Sequence, residues 1–177
     1  LWHQRGSEPL DPASTTKMMT CYAVLQQVEK NPSLLQDVVT FSQNADETVG
    51  STSGLKAGEQ VLVEALLYGL MLPSGNDASV ALAEHFGARK LQAESVDQQA
   101  DFYATFIHQM NEIAQQLGMR ETVYRNPHGL TEADHKTSAR DLVKLATAAL
   151  KLPRFRQIVN TRQYGTAVHG AAGYTRN

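Results

Sequence analysis

The sequence predicts a helix-dominated fold with a few short strands, and two patterns carry that expectation. Apolar residues recur at helical spacing in several stretches, most clearly at Met18, Cys21, Tyr22, Leu25 and Val28 and again at Phe102, Phe106, Met110, Ile113 and Leu117. Strand-like runs are brief, from Val38 to Phe41 and from Thr122 to Tyr124. A length of 177 residues with 42% hydrophobic and 19% charged content fits one soluble unit with a sizeable core. No repeat, low-complexity tract or linker divides residues 1–177.

In chain order, Leu1 to Arg5 reads as the end of a strand that turns through Gly6-Ser7-Glu8-Pro9. A helix follows Pro12 and stops before Asn31-Pro32, because a residue preceding proline leaves the helical region. Nearly every position from Met18 to Leu25 is apolar, so this helix should be buried on most sides. The strand at Val38 to Phe41 leads into a polar, glycine-rich loop from Ser42 to Glu59.

Val61 to Leu72 carries Leu62, Leu66, Leu67 and Leu70 at helical spacing until Pro73-Ser74-Gly75 breaks it. Asn76-Asp77 caps the next helix, expected to run through Val80, Leu82, Ala83 and Phe86 and to end at Gly87. The Phe102 helix ends before Gly118, and Asn126-Pro127-His128-Gly129 is a turn by composition. Leu142, Leu145, Ala146 and Ala149 mark another helix, with a short one from Pro153 to Val159. From Gln163 to Asn177 the chain is polar and glycine-rich without a terminal element, so it is expected to continue further.

A formal charge of −2 and the lack of any Lys/Arg run argue against nucleic acid as a main partner, and equally against a polybasic membrane patch. The one cysteine, Cys21, permits no internal disulfide and sits where a small core residue is needed. His85, His108, His128, His135 and His169 show no paired ligand spacing and are read as structural or surface residues, so neither metal nor cofactor is expected. The apolar run from Val61 to Leu72 is interrupted by Glu64 and too short to span a membrane. The start at Leu1-Trp2-His3-Gln4, without Met or a targeting core, suggests a trimmed product whose export signal has been removed.

Chemistry enters at Ser14-Thr15-Thr16-Lys17. Residues three apart on a helix are neighbours, so the Lys17 ammonium can reach the Ser14 hydroxyl. Burial of the helix and its positive N-terminus both disfavour the charged amine, leaving a base able to take the serine proton. The same residues also fit an ordinary N-cap serine and a snorkelling lysine. Ser53-Gly54-Leu55-Lys56 repeats the spacing in a loop, where nothing fixes the two side chains on one face. Ser74-Gly75-Asn76, just past the helix break, can aim a hydroxyl and a carboxamide into a cleft, one to relay a proton and one to hold a carbonyl. Its alternative is an Asx-type turn into a helix cap, and Ser42-Gln43-Asn44 shares the spacing.

Taken together, these segments resemble the serine D-alanyl-D-alanine carboxypeptidases, the low-molecular-mass penicillin-binding proteins. Asp11-Pro12-Ala13-Ser14-Thr15-Thr16-Lys17-Met18-Met19-Thr20 is similar to the first family motif in context. Leu66 through Ala78, containing Ser74-Gly75-Asn76, resembles the second. Asn126-Pro127-His128-Gly129-Leu130 and Ser138-Ala139-Arg140-Asp141-Leu142 match a further family segment.

The resemblance implies an α/β (α+β) fold of the β-lactamase/transpeptidase type. Residues 1–177 would be a single truncated catalytic domain, largely its helical part, with much of the antiparallel sheet missing. It also implies that Ser14 attacks a terminal D-Ala-D-Ala peptide and forms an acyl-enzyme, with Lys17 as base. Ser74 would pass the proton to the departing amine, Asn76 would bind the substrate amide and brace Lys17, and the Ser14 N–H would give half of an oxyanion hole. The implied partners are the peptidoglycan pentapeptide and β-lactam antibiotics as covalent inhibitors. The implied place is periplasmic or extracytoplasmic, with membrane attachment only through segments outside this chain.

No Lys-Thr-Gly occurs in the sequence, and Lys136-Thr137-Ser138 precedes a helix where the family's third motif lies on a later strand. The isolated chain is therefore expected to lack much of the activity. Two other functions fit parts of the pattern. A β-lactamase needs an extra carboxylate for its deacylating water, but Glu121 to Asn126 has the wrong internal spacing. A non-catalytic module binding cell-wall peptide would keep the helical shell without turnover.

Overall fold

The computed structural model describes residues 4–94, 101–170 and 175–176. Its centre is helix α1 (Thr16–Lys30), which extends a 3-10 turn at Ala13–Thr15. Met19, Cys21, Ala23, Val24 and Leu25 have no exposed surface, as an apolar run from Met18 to Leu25 requires. Each large side chain so buried contributes about 1.5–3 kcal/mol by leaving water. Around α1 pack α3 (Val63–Met71), α4 (Asn76–Glu94), α5 (Phe102–Gln116), α6 (Ala139–Ala149) and α7 (Pro153–Val159). Local chemistry sets several of their starts: Asp101 accepts from the Ala104 N–H, Ser138 accepts from the Asp141 N–H, and Pro153 occupies the first turn of α7.

Strands β1 (Val38–Thr40), β2 (Gln60–Leu62), β3 (Val168–His169) and β4 (Thr175–Arg176) form one antiparallel sheet in that order, and α2 (Gln43–Asp46) lies between the first two. Val39 pairs with Val61, Gln60 with His169, and Val168 with Arg176. Leu10 and Thr137 exchange two backbone hydrogen bonds, which joins the approach to α1 to the approach to α6. Among the described residues, no helix is long and apolar enough to cross a membrane.

Several expected boundaries differ. The apolar run from residue 61 starts in strand β2 and becomes helical only at Val63, because Leu62 stays extended. A short apolar run satisfies strand and helix patterns equally, and pairing with β1 decides it. The loop from Ser42 contains α2, capped by the Ser42 hydroxyl. Thr122 to Tyr124 makes only a single bridge, between Val123 and Lys136. The stretch from Gln163 carries β3 and β4 where no terminal element was expected. Of the expected strand at Leu1 to Arg5, the first three residues lie outside those described, and Arg5 is in a bend with φ +50°.

Helix α4 also runs through Gly87 to Glu94 where an end was expected. A Cβ at Gly87 would lie 1.8 Å from the Phe102 carbonyl oxygen, so this glycine lets α5 cross directly over α4. Gly87→Ala should therefore force the two helices apart and lower stability by roughly 1–3 kcal/mol. Gly6→Ala, where an added Cβ meets nothing within 4 Å, is the control in urea unfolding. Equal midpoints for the two variants would refute the close-approach explanation.

Candidate active site

The 3-10 turn at Ala13–Thr15 places Ser14 on the surface, one turn before the buried Lys17. Ser14 thus lies in the 3-10 turn that runs into α1. Ala13 adopts φ +47°, a left-handed conformation that costs a non-glycine residue about 1 kcal/mol or more. The Lys17 Nζ lies 3.3 Å from Ser14 Oγ, 2.7 Å from Asn76 Oδ1 and 2.8 Å from the His128 carbonyl oxygen. Three chain segments distant in sequence therefore meet at one amine.

Burial pushes the Lys17 amine down to about 8, while the negative charge of Asp77 works in the opposite direction. A neutral amine has two N–H donors and one lone pair. The Asn76 and His128 oxygens can accept only from hydrogens, which leaves the lone pair for the Ser14 hydroxyl. Such an arrangement can draw the proton from Ser14 and return it.

Asn76 is fixed from both ends of its carboxamide. Its Nδ2 donates to the Val49 carbonyl at 2.7 Å, which identifies Oδ1 as the atom facing Lys17, and its backbone N–H donates to Ser51 O. Gly50, at φ +99°, passes so close that a Cβ there would meet Asn76 Nδ2 at 2.6 Å. Ser74, two residues earlier, is half-buried at φ +62°. Its hydroxyl makes no hydrogen bond to Ser14, Lys17 or Asn76 in the structure. The structure thus brings Ser14, Lys17 and Asn76 into contact and holds Ser74 on the adjoining turn.

Residues 126–129 form the turn that their composition predicts, and that turn is the third wall of the site. Asn126, fully buried, accepts from the Gly129 N–H and donates to Leu130 O and Glu132 Oε1. The turn so shaped gives His128 O to Lys17 and Pro127 O to the Thr20 hydroxyl. His135 secures it further: Nδ1 accepts from the Arg125 N–H, so the ring proton sits on Nε2 and donates to Thr16 Oγ1 at 3.0 Å. Burial lowers the proton affinity of both rings, first by desolvation; His128, also repelled by Lys17, falls to about 4. Main-chain acceptors leave no residue signature, although the Asn-Pro-His-Gly order marks where such a turn can form.

Elsewhere, the Cys21 thiol is pushed up by complete burial and is inert as a nucleophile. Among the described residues, no group of three His, Cys, Asp or Glu side chains could hold a metal.

The fold is one that known DD-peptidases share. The Streptomyces K15 DD-transpeptidase structure matches with a TM-score of 0.86 and 34% identity, over 99% of this chain and 65% of that one. A family model described as D-alanyl-D-alanine carboxypeptidase matches residues 1–175, and the chain belongs to that family. The D-alanyl-D-alanine carboxypeptidase DacF of Bacillus subtilis is 34% identical over 91% of this chain and 38% of its own length. A Streptomyces D-alanyl-D-alanine carboxypeptidase is 38% identical over 85% of this chain and 50% of its own. The chain thus spans half or less of these curated relatives.

Gly129, at φ +98°, sits where a Cβ would lie 1.8 Å from the Ala13 carbonyl oxygen. Gly129→Ala should push the turn off α1 and cost roughly 1–3 kcal/mol beyond its backbone strain. Gly54→Ala carries a similar strain at φ +79° but meets nothing within 4 Å, so it should cost less in urea unfolding. Indistinguishable losses would show that docking against Ala13 is not what requires glycine.

Proposed function

We propose that the protein carrying this chain is a serine D-Ala-D-Ala carboxypeptidase that removes the terminal D-alanine of peptidoglycan stem peptides. The observation that carries this reading is that Ser14 Oγ, Asn76 Oδ1 and the His128 carbonyl oxygen converge on the one buried Lys17 amine. Family membership supplies the substrate class.

In the forward step, Ser14 Oγ bonds to the penultimate carbonyl carbon while Lys17 takes the hydroxyl proton. The Ser14 backbone N–H supports the developing oxyanion as one half of its hole. The C–N bond to the last D-alanine then breaks, and Ser74 conveys a proton to the leaving amine. Asn76 braces Lys17 through Oδ1 and keeps a second Nδ2 hydrogen, beyond the one on Val49 O, for the substrate amide. Water, deprotonated by the same amine, attacks the ester and frees Ser14.

The chain contains no Lys-Thr-Gly sequence, so the substrate carboxylate and the second oxyanion donor have no assigned partner within it. The substrate is a cell-wall polymer, which places the activity outside the cytoplasmic membrane. β-Lactams, as mimics of the D-Ala-D-Ala terminus, should acylate the same serine.

Two outcomes test this reading on the protein in the form that the cell makes. Peptide mass spectrometry after penicillin treatment should find a long-lived adduct on Ser14, absent in Ser14→Ala and formed about 10²–10⁴-fold more slowly in Lys17→Ala. Rapid turnover of penicillin would instead indicate a β-lactamase, and no adduct would indicate a binding module. The reactive form has an uncharged amine, so the acylation rate should climb with pH through about 8 and level off above it. A rate independent of pH across that range would remove Lys17 from the role of base.

A further inference from the structure

Asp77 is the most unusual charge near the site. Only 1% exposed, it sits in the first turn of α4 and accepts from the Ser53 N–H, the Ser53 and Thr52 hydroxyls and the Ala78 N–H. Every one of these partners is a neutral donor. Among the described residues, Asp77 forms no ion pair. The positive end of α4 and four donors suit an acceptor-only carboxylate.

The segment that Asp77 ties down is the one that fixes Asn76. Val49 O holds the Asn76 carboxamide and Ser51 O holds its backbone N–H, while Thr52 and Ser53 immediately after them bond to Asp77. Space around the carboxylate is filled: a Cβ at Gly75 would meet Asp77 Oδ1 at 2.6 Å and Gly69 O at 2.7 Å. Beside Lys17 stand Ser14 on its own turn and His128 on the docked turn, and the Asp77 carboxylate, one residue past Asn76 on α4, acts on the amine through its charge. His128 is neutral above about pH 4, so the Asp77 carboxylate is the negative charge among them.

We propose that Asp77 is a positioning residue for the Ser14–Lys17 pair. Its carboxylate clamps residues 52 and 53 to α4, which aims Asn76 at Lys17, and its negative charge, one residue from Asn76, favours the ammonium. The proposal rests on the Ser14–Lys17 reading above for its effect on rate, but not for its effect on the titration of Lys17.

A purely structural clamp and a charge that tunes the amine differ in one observable. Lysine labelled with ¹³C at Cε reports the Lys17 titration by NMR, assigned with Lys17→Arg. Asp77→Asn should lower the midpoint by about one pH unit, since a favourable charge on the ammonium is lost. The acid limb of penicillin acylation should move down with it, and the high-pH plateau should fall about tenfold as Asn76 loosens. Ser53→Ala keeps the charge and should leave the midpoint in place while lowering the unfolding temperature.

An unchanged midpoint in Asp77→Asn would overturn the proposal. Should that variant not fold, the wild-type protein still decides: the Asp77 carboxyl ¹³C signal must show a step at the Lys17 midpoint that vanishes in Lys17→Met. A missing step overturns the proposal equally. Absence of any Ser14 adduct in wild type, with the coupled titration intact, would reject the function and leave the Asp77–Lys17 coupling standing.

Discussion

The structure of this site depends on keeping an amine out of water while giving its hydrogens somewhere to go. A buried ammonium without partners would be untenable, and a buried amine with three fixed acceptors would remain charged. Lys17 lies between these limits because Asn76 Oδ1 and His128 O accept only from N–H groups, whereas Ser14 Oγ can either accept or donate. The ambivalence of that one oxygen makes proton exchange possible.

The remainder of the fold can be understood as the means of bringing these acceptors together. Five other helices pack around α1 and bury most of it from Thr16 to Leu25, so it is the 3-10 turn before it that carries the Ser14 hydroxyl into solvent. The 126–129 turn docks from one side through Thr16, Thr20 and His135, and α4 approaches from the other with Asn76 at its first residue. Gly50, Gly75 and Gly129 stand where backbone or amide groups approach too closely for any Cβ. Rigid main-chain contacts hold the polar atoms, and this preorganisation is what a catalytic group needs in order to act without rearrangement.

What could be read from the sequence was mostly local. The long periodic helices appear at their predicted places, and Ser14 with Lys17 is legible because three-residue spacing is itself a contact. Asn76 was marked by the helix break that precedes it. The start of α3 and the course of α4 through Gly87 were not legible, because a partner strand and a crossing backbone decide them from far along the chain. Strands β3 and β4 are two residues each, too short for a pattern. His128 reads in the sequence as a structural or surface residue, yet the atom that matters there is a carbonyl oxygen that every residue type possesses. Asp77 looked like a helix cap, and its bonds to residues 52 and 53 emerge only when the loop is folded back.

That His128 meets the lysine through its main chain carries an evolutionary consequence. No side-chain replacement at position 128 deletes that acceptor, so point mutation cannot remove it directly. Loss of that acceptor must instead arise from positions that redirect the peptide plane, such as Asn126, Gly129 and His135. Variants that alter this contact should therefore be sought among residues that never touch Lys17.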